Sequence, residues 1–318
     1  MSISNNVFLI LIAALILICN VIITGPVWAQ SVQMFSDLYE PSGAASLSDD
    51  RVIVVEDDGD RPVRLFSLTS NKGELALSPE TLKGEITEVH DLEGVSEGKD
   101  NEIFLITSHS TSNKGERKKT REQLIKLTMK GKQISKIQVV GNLLPFIQKK
   151  LKDSLMLEKK ELEGINIEGL AFNATKDTLL IGLRAPVFNG TALILSLLNP
   201  YDLFSKKQDP IFNDIITLDL EGAGIRAITY DKKRARFLIA GEAKNKKDKL
   251  RSRIWAWDGL QNTKATRIEV PKIKEVKNIE GMTIVHREGT PYLLFVCDNG
   301  NREKKVGGSY GFIDVKKL

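Results

Sequence analysis

The residues best placed to do chemistry are three glutamates that recur inside one phrase. It reads Asp91-Leu-Glu-Gly-Val95, returns as Asn166-Ile-Glu-Gly-Leu170, and returns again as Asn278-Ile-Glu-Gly-Met282. If Glu93, Glu168 and Glu280 converge, their carboxylates repel one another and rise in pKa unless a cation or a guanidinium compensates. Ca²⁺ or another hard divalent cation suits such a set of oxygen ligands. A weaker copy, Gly224-Ile-Arg-Ala-Ile228, puts Arg226 in the glutamate register. Another, Ser42-Gly-Ala-Ala-Ser46, is read with Gly43 there. The same carboxylates could instead only satisfy backbone groups and Arg226 along a structural seam, and residue types alone leave both roles open.

Each copy leads into a short apolar run, and polar residues stand where the run ends. These are Glu56, Asp57 and Asp58, then Ser108 and His109, then Arg184, Glu242, and Asp298 with Asn299. Polar side chains at such positions need no apolar partner, and loops of this kind often carry function. His109, Arg184, Asp298 and Glu242 therefore form the candidate catalytic or ligand-binding set. His109 is the proton-transfer candidate because an unperturbed imidazole titrates nearest neutrality. Arg184 would hold an anionic substrate or a developing oxyanion. For His109 a local hydrogen-bonding role in a loop is the competing reading.

These residues can meet only if the repeat is radial. The copies recur at intervals of about one small antiparallel sheet, and internal repeats outrank other signals. The first four units each read as four strands. The fifth reads as three, and an orphan strand at residues 32–38 precedes the first unit. A ring in which that strand completes the last sheet leaves only short edges. The expectation is an all-β, five-bladed β-propeller closed by its N-terminal strand, with a six-bladed ring as the alternative. First strands would then line a central channel, and the ends of second strands would gather at one mouth. Residues 143–157 break the rhythm. There Phe146, Ile147, Leu151 and Leu155 recur at helical spacing after Pro145, which predicts one inserted amphipathic helix.

Composition narrows the partners. Charged residues make up 27% of the 318-residue chain and the formal charge is +5, which gives a weak attraction to polyanions without specificity. Aromatic content of 6% argues against a stacking surface for single-stranded nucleic acid. Residues 1–30 carry no charged side chain, and residues 7–23 are almost wholly apolar before Val27-Trp28-Ala29. That pattern predicts a signal peptide over residues 1–29 and a single propeller domain over 30–318. The alternative is an uncleaved membrane anchor, although about 17 residues is short for a bilayer span. Cleavage implies a periplasmic or secreted protein, with membrane contact only if the leader is kept. It also leaves Cys297 as the only cysteine and excludes an intrachain disulfide. Three scattered histidines make a zinc centre a poor fit. Gly307-Gly-Ser-Tyr-Gly311 matches a nucleophile-elbow pattern but has no helix and too little chain after it.

Asp91-Leu-Glu-Gly-Val95 followed by Ile106-Thr-Ser-His-Ser110, and Asn166-Ile-Glu-Gly-Leu170 with Gly182-Leu-Arg-Ala-Pro186, resemble the bacterial family called domain of unknown function 3616. Ala240-Gly-Glu242 and Cys297-Asp-Asn-Gly300 extend the resemblance over nearly all of the chain from Ser42 onward. It implies an exported, propeller-like protein and supplies no reaction. A looser similarity, to propellers with phytase-like esterase features, rests on the Leu-Glu-Gly phrase. Two functional readings follow. One is a binding propeller that takes a small anionic ligand, a glycan or a protein at the channel mouth, around a divalent cation. The other is a metal-assisted hydrolase of phosphate or carboxyl esters.

Overall fold

The computed structural model describes residues 32–318 apart from 48–49, 72–73, 245–247, 271–272 and 274–275. The leader expected over residues 1–29 lies outside the described residues. The first strand among the described residues is the two-residue β1 (Gln33–Met34). Blade 1 is β2 (Pro41–Ser46), β3 (Arg51–Glu56), β4 (Val63–Asn71) and β5 (Glu74–Glu80). Blade 2 is β6 (Leu92–Glu97), β7 (Glu102–Thr107), β8 (Leu124–Lys130) and β9 (Gln133–Val140). Two helices follow, α1 (Leu143–Leu155) and α2 (Lys159–Glu163). Blade 3 comprises β10 (Asn166–Asn173), β11 (Thr178–Ala185), β12 (Ala192–Leu197), a short helix α3 (Pro200–Ser205), and β13 (Ile216–Leu218). Blade 4 is β14 (Ala227–Asp231), β15 (Arg236–Lys244), β16 (Leu250–Trp257) and β17 (Thr266–Ile268). Blade 5 has β18 (Ile279–Arg287), β19 (Thr290–Cys297) and β20 (Ser309–Asp314), completed on its outer edge by β1.

The ring is closed and five-bladed. Strand β2 touches β6, β6 touches β10, β10 touches β14, β14 touches β18, and β18 returns to β2. Five apolar clusters fill the five junctions between blades. Met282, Leu238 and Ile254 lie between blades 4 and 5. Ala44, Val296 and Phe312 lie between blades 5 and 1. Every second strand residue thus meets the next sheet, and each fully buried Leu or Ile contributes up to about 3 kcal/mol. The N-terminal closure is shorter than the apolar pattern at residues 32–38 suggests. Only Gln33 and Met34 pair, with Tyr310 and Ser309. Phe35 and Leu38 turn inward to the core between blades 5 and 1 instead.

Helix α1 buries Leu143, Leu144, Ile147 and Leu151. This face packs on the core between blades 2 and 3, which includes Ile167 of β10, next to Glu168, and its partner Leu183 of β11. The stripe is rotated from the expected one, so Phe146 is only half-buried. The helix ends at Met156, whose φ of 55° no longer continues it. Among the described residues no helix is long and apolar enough to cross a membrane.

Candidate metal centre

The recurring phrase is a device for turning one side chain toward the axis. Asp91 and Asn278 adopt φ of 59° and 54°, a left-handed conformation that Asp and Asn tolerate because their short polar side chains can bond locally. The chain then enters an inner strand. Leu92 pairs with Thr107 and Gly94 with Ile106, so Glu93 is the extra residue of a β-bulge. The same shift leaves Glu168 between Ile167 and Gly169, and Glu280 between Ile279 and Gly281. Bulges re-aim the residue they contain. The following glycine lets neighbouring inner strands approach. A Cβ on Gly281 would lie 2.6 Å from the Gly43 carbonyl carbon. In blade 1 the shift falls between Pro41 and Gly43, so Ser42 occupies the glutamate register, not Gly43 as the phrase alone suggested. Ser42 is buried and its hydroxyl donates to the Leu92 carbonyl. Arg226 precedes Ala227 in blade 4 as Glu93 precedes Gly94, and its N–H bonds the Ala240 carbonyl.

Arg226 gathers the carboxylates of three blades. It contacts Glu280 directly, Glu168 Oε2 at 3.5 Å and Glu242 Oε2 at 3.4 Å. Glu168 also accepts from Arg184 Nη1 at 2.8 Å. Arg184 is itself a bulged residue on β11, skipped between the Asn166–Ala185 and Ile167–Leu183 pairs. Burial raises the Glu168 pKa against the pull of both arginines. Burial likewise pushes Glu280 up to about 8, although Arg226 opposes the shift. Burial opposes the charge on Arg226, but Glu168, Glu280 and Glu242 together hold its pKa above the ordinary guanidinium value.

On the side of blades 1 and 2 compensation is partial, because Arg121 pairs with Asp91 alone. One oxygen each from Asp57, Asp91 and Glu93 lies within 4.8 Å of the others. Glu93 is 7% exposed and forms no hydrogen bond or ion pair among the described residues. Burial first, and then Glu168, Asp57 and Glu280, drive its pKa well above the carboxylate range. Burial, with Asp91 and Asp58 beside it, pushes Asp57 up to about 9. The neighbouring Asp91 carboxyl adds to the rise at Asp57, while Asp57 draws Asp91 the other way. Burial raises Asp91 as well, and Arg121 offsets part of the rise. The Asp91 carboxylate accepts from Ser108 Oγ, from Ser110 Oγ at 3.1 Å and from Arg121. The buried Oδ1 of Asp57 receives no donor from the described residues. At an effective dielectric constant of about 20, two unit charges at this spacing repel by about 3 kcal/mol. Three ionised carboxylates would therefore cost about 10 kcal/mol in mutual repulsion, so the cluster holds protons or a cation.

A model of the family described as "Protein of unknown function (DUF3616)" matches residues 147–312, more than half of the chain. The chain belongs to the DUF3616 family. Glu168, Arg184, Arg226, Glu242, Glu280 and Asp298 lie inside the matched span of this DUF3616 protein, whereas Asp57, Asp91 and Glu93 precede it. No curated protein matches it. Among solved structures, an α-L-arabinofuranosidase from Clostridium thermocellum is 10% identical, with 82% of this chain and 83% of that chain covered at a TM-score of 0.50. A β-fructofuranosidase from Bombyx mori is also 10% identical, with 96% of this chain and 66% of that chain covered at a TM-score of 0.51. At such identities the likeness is one of fold.

The DUF3616 chain brings together most of the residues that sequence reasoning singled out. Glu93, Glu168, Glu280 and Arg226 form one electrostatic unit, and Arg184 and Glu242 join it through Glu168 and Arg226. Glu242 also accepts from the Asn278 N–H at 3.2 Å. Asp298 is half-buried and feels Arg226 and Arg184, while burial and Glu40 raise its pKa. His109 is placed differently. Its side chain is fully buried, and its Nδ1 donates to the Thr107 carbonyl at 2.8 Å. That leaves the lone pair on Nε2, which has no partner among the described residues. The charged groups acting on the ring are Glu122 and Arg117, not the axial set. Asp91, a member of the acidic cluster, was not among the residues singled out. The signal was present, because Asp stands there while the other two copies carry Asn166 and Asn278.

Proposed function

We propose that the protein is a binding propeller that holds a divalent cation, Ca²⁺ in the first instance, on Asp57, Asp91 and Glu93, and through it a small anionic ligand. The observation that carries the reading is Glu93, a buried carboxylate without a protein partner inside an acidic cluster. All three donors are carboxylate oxygens, which suit Ca²⁺, Mg²⁺ or Mn²⁺ better than soft metals. Hard cations take six or more oxygen ligands, so three side chains leave positions for a ligand or water. An anion could not hold here alone, because Arg226 already serves three carboxylates. Arg184 is 46% exposed on its side chain and uses one nitrogen on Glu168, so its remaining donors suit an oxyanion bridged to the cation. Ester hydrolysis would also need a base beside the cation. His109 does not supply one, since burial pushes its pKa down to about 4 and encloses the ring. Binding is therefore favoured over hydrolysis.

Metal analysis of the purified protein, and its thermal midpoint with Ca²⁺, Mg²⁺ or Mn²⁺ after chelation, test the reading. A cation at about 100 times its Kd should add about 2.7 kcal/mol of stability, and Glu93→Gln should abolish most of that gain. Identical midpoints in all ions and in the chelated protein, with no bound metal, would refute it. We also infer export of the domain over residues 30–318. The N-terminus of protein recovered from cells should be Gln30, and a chain retaining residues 1–29 would restore the anchor alternative.

A further inference from the structure

Where the inner strands end, at the far side of the axis from the acidic cluster, a cavity of about 340 Å³ opens between blades 1, 2, 4 and 5. Its size is at the lower end of the range for small-molecule sites. None of Asp57, Asp91, Glu93 or Arg184 lines it. The inner-strand residues between the two ends, Ala44, Val95, Leu170, Ile228 and Met282, are all buried. The cavity is thus independent of the cation centre.

Its charges cancel. Asp231 is held by Arg234 at 3.3 Å and Arg236 at 3.4 Å, and Glu97 by Lys232 at 3.0 Å. Arg51 has a partner of its own and acts on Glu80. Asp50 and Lys233 remain as one unpaired charge of each sign. A free anion or cation gains no net field from such walls. The apolar part of the lining includes Leu47, Val285 and Pro291, and Tyr230, half-buried against Phe237 of its own blade, contributes an aromatic residue to it. The Thr229 and Tyr230 hydroxyls and the His286 ring also line the cavity without hydrogen-bond partners among the described residues. Such groups both donate and accept, as sugar hydroxyls do, while the C–H faces of a sugar ring suit an apolar or aromatic wall. An amino acid could use Asp50 and Lys233 but would leave the hydroxyls and the imidazole unmatched.

We propose that this far mouth is a binding site for a neutral polyhydroxylated ligand of mono- or disaccharide size. Binding of glucose, galactose, xylose and maltose to the full protein in EDTA is measured by saturation-transfer NMR and calorimetry, with glycine and inorganic phosphate as charged comparators. At least one sugar binds, and the Lys233→Ala/His286→Ala variant weakens it about tenfold or more, or about 1.4 kcal/mol. Both substituted residues are exposed, so the thermal midpoint is unchanged in that variant. Glu93→Gln, which removes the cation ligand, leaves sugar affinity as it was. Absence of sugar binding up to about 10 mM overturns the proposal. So does binding indifferent to the double substitution, or stronger binding of glycine or phosphate than of every sugar.

Discussion

If Asp57, Asp91 and Glu93 hold a cation, binding must expel protons, and the extent follows from the site. Asp57 titrates at about 9 without the ion because it is buried beside Asp91 and Asp58. At pH 7 only about one molecule in a hundred then has Asp57 ionised, so apparent affinity for the cation is lowered about a hundredfold. Each unit of pH below 9 costs about 1.4 kcal/mol, and Glu93, also raised, steepens the dependence. Calorimetric Ca²⁺ titrations at pH 6, 7 and 8, in buffers of different ionisation enthalpy, give both affinity and protons released. We expect at least one proton released per ion, and about a tenfold gain in affinity per pH unit. In Asp57→Asn, which keeps an oxygen donor but loses the titrating carboxyl, the release should fall by about one proton and the slope should flatten. Affinity independent of pH, with no proton released, would show that these carboxylates are not the ligands. The sign for the cation-free protein is opposite to that of a salt-bridged acid. A carboxyl raised in the folded state contributes stability below its unfolded pKa of about 4, and that contribution is lost as pH rises toward its folded value.

Three further outcomes follow from single contacts. His109 is held neutral by burial, with its pKa pushed down to about 4; its contribution is present above about 6.5 and about 3 kcal/mol is lost as pH falls to 4, so urea unfolding of His109→Asn should show a flatter acid limb than wild type. An unchanged limb would mean that the imidazole is not enclosed. Gly281→Ala sets a Cβ 2.6 Å from the Gly43 backbone and 2.7 Å from the Ala44 nitrogen, so denaturant titration should register a loss of about 1–3 kcal/mol at the seam between blades 5 and 1. A loss below about 0.5 kcal/mol would contradict that close approach. Arg226→Met strands Glu280, removes the ion pair of Glu242 and leaves Glu168 to Arg184 alone, and should cost about 3–5 kcal/mol in the same assay, with part of the loss recovered at low pH, where these carboxyls protonate. A cost that does not depend on pH would assign the effect to packing.

The ring itself was legible because period and strand count constrain it together. Units of four strands, with one strand missing at the end and one spare at the start, favour five blades closed by the spare strand over the six-bladed alternative, and five is what forms. The convergence of Glu93, Glu168, Glu280 and Arg226 followed from that closure. The bulge was not legible, since nothing in Ser42-Gly43 announces which residue is skipped by the neighbouring strand, and the register slipped by one. His109 was placed at the mouth by its position after β7. Its φ of 55° and the hydrogen bond to Thr107 instead leave the ring enclosed, and a backbone angle cannot be read from spacing. The Asp57–Asp91 contact joins a loop of blade 1 to the entry of blade 2, a pairing that repeat alignment compares position by position and so never brings together.

What distinguishes a site from a seam here is where the ring leaves its charge uncompensated. Its positions in the glutamate register carry Ser42, Glu93, Glu168, Arg226 and Glu280 in blade order, all but Arg226 at a β-bulge. Arg226 lies between the blades of Glu168 and Glu280 and contacts both, so that half of the ring is satisfied. Glu93 is left without a base of its own among the described residues. A ring shaped only for stability would place a donor on that side. This chain places two further carboxyls there, Asp57 and Asp91, and commits Arg121 to Asp91 alone among them. Adding acid where acid is already unpaired is unfavourable for the protein by itself. It becomes favourable once a cation arrives, and that dependence is why we read the blade 1–2 side of the axis as built for an ion.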